Sequence, residues 1–396
     1  MYYNYNRFEA GMQSAVNKFE GECFSMTMTE YYNNILSRCT GEREALPEIS
    51  LDEYRRRLKG TLFGRMAGCT LGAPVEGWTL EQIDAYAKET GMTSPYSDYW
   101  PSIPDPDRVR YIVQTFGDYT RGRINGVPAD DDVGYTILSY LMVKEHGRNF
   151  TLADVAEVWQ KYITESYTAE AVAMQNLANG IAPEHAAEVN NEYSDLIGAD
   201  IRIDGYAYMS PCNPEEAVRM AYTDAYISHR GEGIYGAMYF AAAISVAFAK
   251  DNVKDALVEA LKYIPSDCEL YAGLTWALDI WDKVGDFRNA ARLVDERYPG
   301  MHTVHTVNNA CLTVFALALG GRDVGRVFAE AVAMAHDADC TAATAGSIAG
   351  ACYGIDALDE HWYKPFGDKV NSYFHGPKEY RISELLEGFE KFSGVR

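Results

Sequence analysis

From Gly60 to Gly72 every fourth residue is glycine: Gly60, Gly64, Gly68 and Gly72. Residues i and i+4 share one face of an α-helix, and the apolar positions Leu58, Leu62 and Met66 recur at the same interval on another face, so the spacing predicts a helix. Each glycine costs about 1 kcal/mol relative to alanine in a helix interior. Four in one row are tolerated only if something approaches that face too closely for side chains, either a second backbone or a ligand. Helix packing alone accounts for the row as well as ligand contact does. Pro74, preceded by Ala73, ends the helix and opens the turn A-P-V-E-G.

Helical patterns dominate downstream. The stretches 134–145, 152–164, 215–228, 234–249, 254–263, 268–283, 306–319, 323–335 and 341–353 are rich in Ala, Leu or Met and lack two-residue alternation. Helix starts are signalled by Thr151 before Asp154, Asn213 before Pro214 and Glu215, and Ser266 before Glu269. Only residues 199–209, A-D-I-R-I-D-G-Y-A-Y-M, alternate as a strand would. The predicted fold class is all-α, with one helical domain over residues 51–375. A Tyr-, Asn- and Glu-rich appendage over residues 1–50 precedes it. A tail over residues 376–396 follows, in which Glu379 to Phe392 reads as an amphipathic helix packed on the same domain. Residues 91–129 carry Pro95, Pro101, Pro104, Pro106 and Pro128 among Tyr96, Tyr99 and Trp100, which predicts a long ordered loop. Its aromatics either stack on a base or sugar of a substrate or anchor the loop to the core.

Charge excludes some partners. Thirty-five basic and 57 acidic residues give 35 − 57 = −22, so there is no basic face to neutralise nucleic-acid phosphates. The one tight cluster, Arg55, Arg56 and Arg57, reads as a solvated helix face. The longest apolar run, Ile234 to Ala249, has 16 residues, short of the roughly 20 needed to cross a bilayer, and predicts a buried helix. No membrane partner is expected. The N-terminal M-Y-Y-N-Y-N-R-F-E-A lacks the pattern of a secretory signal, so the expected location is cytoplasmic. Eight cysteines without a C-x-x-C pair fit free thiols in a reducing compartment.

Two acidic clusters could carry chemistry. Asp130, Asp131 and Asp132 precede a helical run that begins near Val133, and adjacent carboxylates repel unless a cation, water or a helix N-terminus relieves them. A surface helix cap is the plain alternative. Asp337 and Asp339 precede a helix of small residues, among them Ala342, Ala343, Ala345, Gly346, Ala349 and Gly350. Such a helix packs closely on several sides, which would place both carboxylates centrally. Mg²⁺, which prefers oxygen ligands in octahedral geometry, is the natural partner.

With these motifs the sequence resembles the ADP-ribosylglycohydrolase family, in a bacterial-type branch, over roughly residues 54–365. G-T-L-F-G-R-M-A-G-C-T-L-G-A-P-V-E-G (60–77) is similar to the family's G-x-x-x-G-D-A-x-G-A-P-x-E, and D-D-D-V-G-Y-T (130–136) stands where the family has T-D-D-T. D-A-D-C-T-A-A-T-A-G-S-I-A-G (337–350) resembles D-T-D-[TC]-x-A-A-x-x-G-x-x-x-G. The resemblance implies an orthogonal helical bundle with two Mg²⁺ ions, Mn²⁺ being the alternative, and hydrolysis at the anomeric carbon of an ADP-ribosyl group. It implies Asp131, Asp132, Asp337 and Asp339 as metal ligands, with Asp130 at a threonine ligand's place and Cys340 where Thr or Cys occurs. Asp131 and Asp339 thereby join Glu76 in the catalytic set. Glu76 matches the acidic residue after the glycine-rich helix and would position substrate or activate water. Gly72, His336, Tyr99 and Trp100 complete the substrate-binding set, His336 as a neighbour that tunes metal-bound water. The sequence departs from the family at Cys69, which replaces an aspartate, and at Ala338, which replaces a threonine.

His302 and His305 have a spacing compatible with zinc but no further ligand nearby, and a hydrogen-bonded role explains them. His229 suits the negative end of a helix. No G-x-x-x-x-G-K-[ST] or G-x-S-x-G occurs. Three functions remain: an ADP-ribosyl hydrolase acting on a modified protein or small molecule, a hydrolase of a small ribosyl N-glycoside, and a catalytically silent binding or structural member of the family.

Overall fold

A computed structural model of the chain describes residues 26–101 and 116–396. Its helices are α1 (Met28–Arg38), α2 (Leu51–Gly72), α3 (Leu80–Thr90), α4 (Asp131–His146), α5 (Leu152–Tyr162), α6 (Thr168–Ala178), α7 (Asp204–Tyr208) and α8 (Pro214–Ala225). They continue with α9 (Gly231–Ala247), α10 (Val253–Ala260), α11 (Glu269–Asp279), α12 (Phe287–Arg297), α13 (Thr306–Gly320), α14 (Val324–Ala333), α15 (Ala338–Tyr353) and α16 (Ile382–Ser393). The sheet among the described residues is one short antiparallel pair, β1 (Val370–Asn371) and β2 (Glu379–Tyr380). The all-α expectation holds.

The glycine stripe of α2 faces a backbone. A Cβ on Gly64 would fall 2.5 Å from Gly346 O, and one on Gly72 2.5 Å from Ala338 O; Gly60 and Gly68 meet the backbone at Gly350–Gly354 and Ala342. Partner numbers fall as stripe numbers rise, so α2 and α15 run antiparallel, backbone against backbone. Every residue of α15 is buried, as are Gly233 to Ala247 of α9. A helix apolar all round belongs in the interior, and α9 packs against α8, α10 and α15. Amphipathic helices such as α5 and α12 cover this centre with one face each, whereas α14 is buried at every position but Arg326.

Caps follow the chemistry read from the sequence. Thr151 forms a capping box with Asp154, and the Asn213 side chain accepts from Glu216 N ahead of Pro214. Ser266 does not cap α11; Cys268 does, its Sγ accepting from Tyr271 N at 3.3 Å, while Ser266 binds Arg38 O. The strand-like alternation over 199–209 forms no strand. Ile197–Arg202 is a 3₁₀ turn leading into α7. The alternation misled because Asp200, Arg202 and Asp204 are as buried as Ile201 and Ile203, Arg202 and Asp204 in internal ion pairs and Asp200 facing the interior, rather than forming a solvent face.

Residues 1–25 of the expected appendage lie outside the described residues. From Met28 on, the segment lies against the body: the Tyr32 and Tyr222 rings are 4.5 Å apart, Tyr222 OH donates to Met28 O, and Arg38 pairs with Asp267 at 2.7 Å. The tail helix α16 docks through buried Phe389, edge-on to Tyr208, and through a two-pronged bond from Arg55 to Glu390. Arg55, Arg56 and Arg57 are thus tethering residues as well as surface charge: Arg57 is 7% exposed, and its guanidinium donates to Glu53, Asp251 and backbone carbonyls.

Two predictions follow from this packing. Gly68→Ala gains about 1 kcal/mol of helix propensity, but the new methyl meets backbone atoms of Ala342 and Ala343 closer than 3 Å. Backbone cannot rotate away, and overpacking of this kind costs about 1–3 kcal/mol. Urea unfolding should therefore show a less stable variant; a more stable one would mean the helices can part freely. Separately, hydrogen bonds from Arg56 and Arg57 hold the Glu53 carboxyl down at about 2 against an ordinary 4.5. A depressed folded pKa stabilises above the unfolded value and loses that stabilisation as pH falls from 4.5 toward 2. Glu53→Gln should be less stable than the parent at pH 7, and the gap should narrow across that window in pH-dependent thermal melts.

Candidate metal centre

Three structural devices bring the acidic residues together. The α2–α15 contact sets Gly72 against the first turn of α15, a Gly72 Cβ falling 2.5 Å from Asp339 Cα. The connection from α14 to α15 turns through two non-glycine residues in the left-handed region, Ala335 at φ 65° and His336 at φ 60°. Such backbone is costly and persists only where its surroundings enforce it. Here Gly77 N donates to His336 O at 3.0 Å, tying this turn to the residue after Glu76. Asp337 then stands at the N-cap of α15, with Thr341 Oγ1 donating to its carbonyl at 2.7 Å. On the third side Asp130 is the N-cap of α4, its carboxylate accepting from Asp132 N at 3.3 Å and from Tyr119 OH at 3.1 Å. Helix α4 begins at Asp131, earlier than the apolar run suggested.

The result is a continuous array of ligating atoms. One atom each from Glu76, Asp337 and Asp339 lies within 4.8 Å of the other two, and the same holds for Asp132, Asp339 and Cys340, and for Cys69, Asp130 and Asp132. Asp339 and Asp132 each belong to two of these groups. Asp132 is fully buried, and Asp130, Asp337 and Asp339 are 3%, 2% and 1% exposed; Glu76 is half-buried at the edge.

Arg65 brings a cation of the protein's own to this array. Arg65, fully buried on α2, donates to Asp132 Oδ1 at 3.1 Å, pairs with Asp204 Oδ2 at 3.0 Å and donates to Thr136 Oγ1 at 2.7 Å. Asp132 Oδ2 is left buried without a hydrogen-bond donor. Burial pushes the Asp132 carboxyl well above the carboxylate range; Arg65 opposes that, and Asp339, Asp130 and Asp131 reinforce it. Asp200 behaves likewise: both its carboxylate oxygens are buried without hydrogen-bond partners, and burial, then the charges of Asp337 and Asp204, push its pKa well up. Burial and the surrounding carboxylates also drive the Cys69 and Cys340 thiols up. Buried carboxylate oxygens without donors, at Asp132 and Asp200, call for cations or protons. The all-oxygen group Glu76–Asp337–Asp339 fits a hard dication such as Mg²⁺ or Mn²⁺.

The other predicted residues divide. Asp131 is not in the three groups: it is half-buried at the first position of α4, accepts from Asp132 N at 3.1 Å and acts on Asp132 and Cys340 through its charge. Gly72 serves helix contact. His336 binds Asp295 Oδ1 through Nε2 at 2.9 Å, so that ring nitrogen is held by α12, and its tie to Glu76 runs through the main chain. Tyr99 and Trp100 require correction as substrate contacts: they are 1% and 0% exposed, Tyr99 OH donating to Trp362 O and Trp100 Nε1 to Leu71 O. They anchor the loop to the core, burying large rings whose polar atoms are satisfied. Residues 102–115 of that loop lie outside the described residues. His302 and His305 accept backbone N–H groups of Val304 and Val307, as structural residues do, and His229 is buried with Nδ1 on Ser228 Oγ at 2.8 Å. Sequence reasoning passed over Arg65 and Asp200. An arginine on the packed stretch of a glycine-striped helix was a usable signal for the first; Asp200 was hidden in the supposed strand.

Residues 50–388 match the family model of the ADP-ribosylglycohydrolases. The chain belongs to the ADP-ribosylglycohydrolase family. Among solved structures, an ADP-ribosylglycohydrolase-related protein complex shares the fold with a TM-score of 0.59 at 20% identity, over 87% of this chain and 99% of that one. No curated protein matches the chain. Among the described residues no helix is long and apolar enough to cross a membrane.

Removing Arg65 would strand two buried carboxylates, and breaking a buried pair costs about 3–5 kcal/mol. Arg65→Met should lower the unfolding free energy by about that much in urea titrations, and adding Asp204→Asn should recover part of it. No recovery would mean that Arg65 acts by packing alone.

Proposed function

We propose that the protein is a divalent-cation-dependent hydrolase that cleaves the glycosidic bond at the anomeric carbon of an ADP-ribosyl group. The observation that supports this most is the convergence of Glu76, Asp337 and Asp339, with one potential ligand atom of each within 4.8 Å of the other two, in a chain of a glycohydrolase family. Bound Mg²⁺ would supply positive charge to hold the vicinal ribose hydroxyls and to stabilise the oxygen that develops charge during attack. Asp337 and Asp339 would hold the cation, and Asp132 would extend the cradle toward α4. Glu76, at the half-buried edge, would take a proton from the attacking water onto a carboxylate oxygen. The water oxygen bonds to the anomeric carbon while the glycosidic electron pair and a proton leave with the aglycone. Burial of the remaining carboxylates keeps bulk water from competing for these contacts.

The depth of the carboxylates also favours a slender group entering the site, which keeps a small ribosyl N-glycoside as the second reading. Asp339→Ala should abolish release of ADP-ribose from ADP-ribosylated protein or from a small ADP-ribosyl glycoside, followed by chromatography with Mg²⁺ or Mn²⁺ present. It should also weaken Mg²⁺ binding by calorimetry. Turnover unchanged in that variant would remove the metal mechanism. Cleavage of simple ribosides alone would move the assignment to the second reading.

A further inference from the structure

The array is not chemically uniform. Its Glu76 end offers oxygen only, whereas its α4 end offers sulfur: Cys69 Sγ lies within 4.8 Å of carboxylate oxygens of both Asp130 and Asp132, and Cys340 Sγ within the same distance of Asp132 and Asp339. Cys69 is 1% exposed on α2 and is a free thiol. Asp132, fully buried, turns Oδ1 to Arg65 and leaves Oδ2 without a hydrogen-bond donor, and a carboxylate oxygen of Asp132 lies in each of the two sulfur-containing groups. An orphaned carboxylate oxygen in a closed interior is costly, and a cation at this point would satisfy it.

Mg²⁺ is the wrong ion for such a set. It demands near-octahedral oxygen ligation at about 2.0–2.1 Å, and a thiol is a soft donor. A borderline dication takes both kinds: zinc binds thiolate sulfur at about 2.3 Å and carboxylate oxygen at about 2.0–2.2 Å, in tetrahedral geometry. Donors around one such centre lie about 3–4 Å apart by these bond lengths, which the 4.8 Å grouping accommodates.

We infer that Cys69, Asp130 and Asp132 form a thiolate–carboxylate subsite that selects a borderline dication of the zinc class over Mg²⁺, with Cys340 a further sulfur within 4.8 Å of Asp132. The thiol proton passes to solvent as the sulfur–metal bond forms. The two ends of the array then hold different ions, a hard one at Glu76–Asp337–Asp339 and a thiophilic one at the α2–α4 junction. This rests on the reading that the array holds cations and is independent of the substrate assigned.

Co²⁺, which reports sulfur ligation by a near-ultraviolet charge-transfer band, is the probe. Titrated into the metal-stripped full chain, it should produce that band and keep it against a thousandfold excess of Mg²⁺. Cys69→Ser should lose most of the band. Zinc-edge X-ray absorption on the parent protein, which needs no variant to fold, should show a sulfur shell at about 2.3 Å. Saturable Co²⁺ binding without the band, displaced by Mg²⁺, or a zinc shell of oxygen and nitrogen only, would overturn the sulfur subsite and leave the cation array standing. Absence of saturable binding by either ion to the folded protein would overturn both.

Discussion

The structure depends on one contact, the meeting of α2 and α15 backbone to backbone. Helices with ordinary side chains keep their axes about 8–10 Å apart, and the glycines of α2 remove the atoms that enforce such spacing. Gly346 and Gly350 return the concession from the other helix, facing Gly64 and Gly60. Four successive turns interlock, so neither a slide nor a rotation leaves the stripe matched. That register puts the C-terminal end of α2, and Glu76 just beyond it, beside Asp337 and Asp339 at the start of α15. The site is where the pair ends.

Charge is distributed around this contact in two unlike ways. Arg202 sits in a hydrogen-bonded network: its guanidinium donates to Glu170, Asp224 and Ser228 Oγ and lies 4.7 Å from the Trp159 ring, while Tyr206 donates to the other oxygen of Asp224. Every partner there is supplied by the protein, and the network serves as a structural strut. Arg65 pairs with Asp132 and Asp204, yet Asp132 keeps one carboxylate oxygen, and Asp200 both, buried without a hydrogen-bond partner. The same fold thus satisfies one buried acidic network internally and leaves oxygens of Asp132 and Asp200 in want of a cation or a proton. That difference separates a core network from a binding site, because an uncompensated interior charge is tolerated only where a ligand or proton compensates it.

Much of this was legible in the residues. The i+4 glycine row announced the close helix contact, the small-residue run after Asp339 announced its partner, and Thr151 and Asn213 marked helix starts that the structure keeps. The ligand-capable residues Asp130, Asp132, Asp337, Asp339, Cys340 and Glu76 were all marked in advance, through the family resemblance and the charge argument together. The aromatic loop could be read as binding or as anchoring, because a sequence does not say which way a ring faces; burial decides for anchoring at Tyr99 and Trp100. The strand reading of 199–209 failed for a related reason. Period-two alternation indicates a strand only when its polar members face solvent, and here they face buried charges instead.

Periodicity, capping and small-residue spacing are local properties, carried by neighbours a few positions apart, and they set the helical class and the paired packing of two particular segments. Which distant groups share a low-dielectric interior is not local. Arg65 and Asp132 are 67 positions apart, and Cys69 comes within reach of Asp130 and Asp132 only because α4 closes over α2. The balance of charge at the centre, the sulfur at one end of it and the inward turn of Asp200 arise from chain segments meeting in three dimensions. Coulomb forces and desolvation depend on those distances, not on order along the chain.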